Sequence, residues 1–293
     1  MLDTVIQIFL NSFVSALILS LVAIGFTYIF LVTKVFHLAH AGIYVSGAFA
    51  FWWVLTKTGN WIAATVFASV IAAVLIFTIE KTVYLPLNRK QSNQSISLIA
   101  SMGLYVVIVN FLALLIGSET QSINNLISGS FDFGNIVFTK VQTIQTIVGI
   151  IVISVFLIYL KLTKSNLALQ SVADNETISK VFGINTEKER VKVFIAGSVL
   201  ACIAAILETI EVGIDPHAGM GITLTAAVVT ILVARLNLLL ITVFAFALTL
   251  LQNSVEWFLS AQWREGITFL ILLFVILFKT EGIISYRLRK DRE

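Results

Sequence analysis

The chain has 293 residues, of which 58% are hydrophobic and 12% charged, with a formal net charge of +3 and a mean hydropathy of +0.99. A soluble domain carries about 25% charged residues, so this composition excludes a soluble globular protein and predicts an all-α polytopic integral membrane protein. The basic residues sit in loops beside apolar runs, which is a topology signal and not a nucleic-acid footprint; the single cysteine, Cys202, excludes an intrachain disulfide and speaks against a metal cluster.

A membrane-crossing helix needs roughly 20 mostly apolar residues. In chain order, residues 5–32 read as a first span, 38–55 as a second and 61–79 as a third, opened by an interfacial tryptophan. Residues 80–93 read as a basic loop, 96–116 as the fourth span and 143–159 as the fifth. The stretch 117–142 is polar and nearly uncharged, so it suits an outer loop, and continuous apolar runs elsewhere give no strand pattern. Residues 193–210 read as the sixth span, 238–255 and 266–278 as the last two. Between them, 222–234 is apolar but short, and is expected to be a broken or re-entrant helix. The total is about eight or nine transmembrane helices with a possible re-entrant segment, in one domain covering 1–293. Fifteen of the 19 basic residues fall on one side, which puts 161–192 and the C-terminus in the cytoplasm. The N-terminus is outside if nine segments cross.

Residues 161–192 are the longest strongly polar stretch, with six basic and four acidic side chains. Asp174 and Asn175 can cap a short helix running towards Phe182, and Gly183 can end it. Its apolar members, Ile178, Val181 and Phe182, would let such a helix lie in a groove on a partner. The alternative is a solvated connector.

Three further places stand out. Around His40, the small residues Ala39, Ala41, Gly42, Ser46, Gly47 and Ala48 permit close helix approach in lipid. His40 itself is a polar group at membrane depth, either functional or bonded to a carbonyl. The segment 213–228 is a glycine-rich turn before a short helix, so its backbone N–H groups could receive a carboxylate; an ordinary loop and span fit it too. Glu208 and Glu211 share one helical face near the outer end of the sixth span, as a solvated vestibule edge or as a substrate-facing pair. Arg235 and Glu256 are interfacial charges or partners within the bundle. No G-x-x-x-x-G-K-S/T phosphate loop, H-E-x-x-H or G-x-S-x-G occurs, so no ATP-hydrolysing or other catalytic site is expected on this chain.

The order of several short motifs resembles the permease subunit of bacterial branched-chain amino acid ABC importers, a family that includes urea and amide permeases. Ala23-Ile24-Gly25-Phe26-Thr27 is similar to the family's first-span motif. Leu38-Ala39-His40 with Tyr44 and Gly47, and Asp215-Pro216 through Thr225-Ala226-Ala227-Val228, resemble its next two. The stretch 173–185 resembles its cytoplasmic coupling loop, and Thr280-Glu281-Gly282-Ile283 its C-terminal motif. The chain departs from the pattern twice: Gly42 replaces an acidic residue, and residues 230–236 lack the family's glycines.

The resemblance implies an importer in the bacterial cytoplasmic membrane, with no cofactor or metal. Implied partners are two cytosolic ATPase subunits, a second homologous permease chain and an extracytoplasmic solute-binding protein, all around a lipid bilayer and with no nucleic acid. It implies a translocation pathway along His40, Gly42, Tyr44, Gly47, Thr225 and Ala226. It also implies ATPase coupling through Asp174, Asn175, Val181, Phe182, Gly183 and Ile184. The solute would be a branched-chain or other hydrophobic amino acid. Alternatives are urea, an amide or another small solute, or a non-transporting assembly or signalling subunit. A membrane-embedded enzyme lacks any acid–base or metal constellation.

Overall fold

The computed structural model describes residues 2–123, 127, 129–163, 165–233 and 236–278. Arg235, the 280–283 motif and the basic tail lie outside the described residues. Helix α1 (Leu2–Thr33) is the central post, buried almost without a break from Val14 to Ile29. Around it stand α6 (Lys140–Leu162), α9 (Thr186–Val212), α10 (Gly219–Val233) and α11 (Leu238–Phe258), and α2 (Ala39–Thr58) packs on α9 and α10. Helices α3 (Trp61–Ile79), α5 (Gln94–Ile116) and α12 (Trp263–Phe278) lie further out. Their outer faces are apolar: Ile62, Val66, Val70 and Val74 follow a four-residue spacing along α3 and are all exposed, as a lipid-facing surface requires. Among the described residues six helices are long and apolar enough to cross a membrane, the third of them running from Trp61 to Arg89.

The two ends of the bundle differ. One carries the loops with Lys34, Lys81, Arg89, Lys90 and Lys180, and is called the basic end. The other carries a hairpin of β1 (Ser130–Phe133) and β2 (Ile136–Thr139). The sequence reading had no strand here. Phe131/Phe133 and Ile136/Phe138 alternate on either side of a Gly134-Asn135 turn, with Gly134 at φ 67°. The first turns of α1 hold the hairpin in place. Gln7 exchanges two hydrogen bonds with the Val137 backbone, at 3.0 and 2.9 Å, and Asn135 donates to Asp3.

Three further boundaries depart from expectation. The third span does not stop at Ile79. It continues through a π-helical turn (Glu80–Tyr84) into α4 (Leu85–Arg89). Pro86 has no N–H to continue the ladder, and the turn before it widens, with Leu85 N–H bonding the Glu80 carbonyl. The second span does not start at the bundle's end either. Residues 34–38 fold back inside, and the Ala39 N–H meets Ser101 Oγ at 2.9 Å, seven residues into α5. His40 packs on Phe26, seven residues before the end of α1, at 5.9 Å. Both marks place the start of α2 about 10 Å inside the bundle at 1.5 Å per residue. Finally, α10 is short, as expected for 222–234, but it starts three residues earlier, at Gly219. Its first residue abuts Ala41 of α2 and its Thr230 hydroxyl bonds that of Thr27 at 2.8 Å, so it runs along α1 towards the basic end.

Candidate functional site: a polar cavity at one end of α9 and a capped loop helix at the other

A cavity of about 670 Å³ opens towards the hairpin end, between α1, α9, α10, α11 and α12. That volume lies within the roughly 300–1,000 Å³ of small-ligand sites. Helix α11 contributes Thr249, Gln252, Asn253 and Glu256, which share one face because they stand at i, i+3, i+4 and i+7. Helix α9 contributes Glu208 and Glu211, α1 contributes Asn11 and Ser15, and α10 contributes Gly221 and Thr225. Arg264 and Glu265 close it from α12. Four carboxylates therefore face one guanidinium.

Hydrogen bonds between helices hold this lining. Tyr44 donates its hydroxyl to Glu208 Oε2. Gln145 donates to Glu211 Oε2 at 2.8 Å and to the Leu207 carbonyl at 2.9 Å. Gln252 donates to Thr268 Oγ1 at 2.6 Å, and Asn253 to Ser12 Oγ at 3.0 Å. The Arg264–Glu256 pair is loose, at 3.6 Å. The cavity thus has the composition of a polar vestibule for a small solute with charged groups.

Of the six pathway residues expected from the sequence, Thr225 lines the cavity and Tyr44 reaches it through Glu208. The other four occupy packing positions. His40 is fully buried against Phe26 and His37, with its ring beside the Val22 carbonyl but no well-formed hydrogen bond to either nitrogen. Gly42 abuts Ile108 of α5, and Gly47 abuts Cys202 of α9. Ala226 is buried. Sequence reasoning missed Asn11, Thr249, Gln252, Asn253 and Glu265. The four-residue polar face of α11 was a readable signal for half of the site, masked by the apolar residues between its members.

At the basic end, 161–192 is not one loop. Helix α7 (Ser165–Asp174) precedes α8 (Glu176–Val181), and α9 begins inside the stretch at Thr186. Asp174 ends α7, and Asn175 alone caps α8, its Oδ1 accepting from Ile178 N–H at 3.0 Å. Gly183 stops α8 at φ 79°. Its N–H bonds the Lys180 carbonyl and that of Ile184 bonds the Ser179 carbonyl, both at 3.0 Å, which is the Schellman pattern. Beyond this cap Val181 and Phe182 project, 82% and 80% exposed, with Ile178 beside them. Partial burial of the Glu176 carboxyl disfavours its charge. Bonds from Lys180, at 2.8 Å, and Thr186, at 3.2 Å, outweigh that and hold it below the usual carboxylate range.

Comparison with known proteins sets these features in a family. The family model described as the permease component of branched-chain amino acid transport systems matches residues 8–277. The chain is 23% identical over 281 residues to the high-affinity branched-chain amino acid transport system permease protein LivH of Escherichia coli K12, covering 91% of each. It is 25% identical over 289 residues to BraD of Pseudomonas aeruginosa, a permease protein of the same description, again covering 91% of each. Among solved structures, PsaBC from Streptococcus pneumoniae, in complex with Fab, matches with a TM-score of 0.53 at 13% identity. That match covers 91% of this chain and 90% of the other, and supports the fold alone. The chain belongs to the family of permease components of branched-chain amino acid ABC transport systems.

Proposed function

We propose that this chain is one transmembrane half of an ABC importer that passes a branched-chain or other hydrophobic amino acid inwards. The observation that carries this reading is the placement of a polar cavity and a capped, apolar-tipped loop helix at opposite ends of the single helix α9, in a chain of this family. The cavity receives the solute. Its carboxylates suit the ammonium group of an amino acid, and Arg264 suits the carboxylate. The loop helix α8 offers Ile178, Val181 and Phe182 to a groove on a cytosolic ATPase, which supplies the energy this chain does not encode.

The basic end faces the cytoplasm and the hairpin end faces outwards, because Lys and Arg concentrate at the former. With α2, α10 and α12 crossing as well, nine passes put the N-terminus outside and the C-terminus inside, in the cytoplasmic membrane. A second permease chain completes the pathway, and an extracytoplasmic binding protein delivers to the cavity mouth. His40, Gly42, Gly47 and Ala226 act by close packing, with Gly42 setting α2 against α5 and Gly47 setting it against α9, the helix that carries Glu208 and Glu211.

The test is uptake by proteoliposomes holding the chain with its ATPase, partner permease and binding protein. ATP-dependent accumulation of labelled leucine or valine is expected, with loss in Glu208→Ala. Accumulation of urea or an amide instead would reassign the solute. No accumulation of any of these, with ATP turnover intact, would overturn the importer reading.

A further inference from the structure

Among the described residues, Arg190 and Glu80 make the one ion pair sealed from solvent. Nε and Oε1 lie 3.1 Å apart, and the side chains are 1% and 0% exposed. Arg190 also donates from Nη1 to the carbonyl of Thr33, the last residue of α1, at 3.2 Å. It thereby clamps three elements: α9, on which it stands, the C-terminus of α1, and the π-helical turn that Glu80 opens. Yet the pair is incomplete, because Arg190 Nη2 and Glu80 Oε2 are both buried without a hydrogen-bond partner. A buried pair with unmet hydrogen bonds is a poor source of stability, since desolvating two charges offsets their attraction. It does have a second arrangement at hand, in which the idle Nη2 and Oε2 meet and the pair becomes bidentate. Glu80 opens a π-helical turn, a local widening of the helix of the kind that recurs at functional sites.

The pair also sits where motion would have to pass. One turn before Arg190, Thr186 donates to Glu176 of α8 at 3.2 Å, so the loop helix is tied to this end of α9. Seven residues beyond Arg190, about 10 Å along the axis, α9 meets α1 backbone to backbone. There a Cβ on Gly25 would lie 2.6 Å from the Gly197 carbonyl oxygen. Such a contact lets helices approach closely while offering few interdigitated side chains to resist rotation. Eleven residues further, about 16 Å, Glu208 accepts from Tyr44 at the cavity. Helix α9 is therefore a rod with a latch at one end, a narrow crossing in its middle and a cavity contact at the other.

We propose that Arg190 is a positioning residue for coupling, whose monodentate and bidentate pairings with Glu80 set two tilts of α9 about the Gly25–Gly197 crossing, and so link α8 to the Tyr44–Glu208 contact. The inference rests on the importer reading above. The test uses the complete reconstituted complex with a reporter at Val212→Cys, a cavity-lining position, labelled by a membrane-impermeant maleimide. With the latch intact, ATP changes the labelling rate at that cysteine. In Arg190→Met/Glu80→Leu, which replaces the pair by apolar side chains, the ATP-dependent change is lost and the ATP spent per imported solute rises about tenfold, while ATP turnover continues. Arg190→Lys keeps the charge but replaces the guanidinium fork by a single ammonium, which cannot alternate between monodentate and bidentate pairing, and is expected to fall between. A drop in assembled complex with an unchanged ATP-to-solute ratio in what remains would mean a purely structural role and overturn the proposal. So would a normal ratio in both variants. If the parent complex imports nothing, the importer reading fails by itself, and the ATP-dependent labelling still decides the fate of the latch.

Discussion

At its basic end α9 is held by a capped first turn, a sealed ion pair and a side-chain bond to α8. At its hairpin end it is held by hydrogen bonds that converge on a wide cavity and by carboxylates that keep free faces. Both ends are rich in charge, so charge alone does not distinguish them. What differs is closure. Desolvated groups at the basic end are costly to strand, whereas a carboxylate on the cavity can turn to water or to a solute. The same helix is thus sealed from solvent at one end and chemically available at the other.

Removing one partner of the sealed pair breaks this comparison most severely. Arg190→Ala strands Glu80 in the bundle and is expected to cost about 3–5 kcal/mol, read as a large fall in the thermal unfolding temperature of purified protein. The matching change at the cavity, Glu211→Ala, should cost under about 1 kcal/mol. Equal losses at both ends would remove the distinction. Next comes the crossing itself. Gly25→Val pushes a side chain into the Gly197 carbonyl and should destabilise by about 3 kcal/mol, since backbone on both sides cannot yield as a flexible side chain would. A stability near that of the parent would show that α1 and α9 are further apart than described.

Smaller changes sharpen the basic end alone. Asn175→Ala removes the cap of α8 and should cost about 1 kcal/mol, seen as faster amide exchange confined to 176–184. The smallest effect concerns pH. Glu176 has its carboxyl held below the usual range in the folded loop, so its contribution is complete above the unfolded value and lost as pH falls through the folded one. Protection of α8 should therefore be flat from neutrality down to about pH 5 and decline only near pH 4 and below. Glu176→Gln should abolish that dependence, and a transition near neutrality would contradict the assignment.

Much of this architecture is legible in the sequence, for physical reasons that also mark where legibility ends. Long apolar runs declare their helices because lipid tolerates no unpaired backbone. The α8 helix was readable because Asn175 and Gly183 carry local chemistry, a side-chain acceptor and a left-handed turn. The hairpin was overlooked although Gly134-Asn135 between alternating apolar residues is a turn signal, because a strand pair of four residues each is faint beside spans of twenty. The inward start of α2 is unreadable: Lys34 to His37 read as a joint between two spans, and only Ser101, Phe26 and Tyr84 reveal its depth. Arg190 and Glu80 stand 110 positions apart, so their pairing exists only in the fold. The cavity lies between these cases. Its α11 face follows a helical period, but Asn11 and Glu265 join it from the far ends of the chain.

The central claim is that the two ends of α9 serve one transport cycle. It is tested most directly by solute uptake in the reconstituted complex carrying Phe182→Asp, a change at an 80% exposed side chain with nothing to destabilise in the bundle. Uptake is expected to fall by at least about tenfold while the membrane domain keeps the thermal stability of the parent. Uptake at the parent's rate by this variant would contradict it.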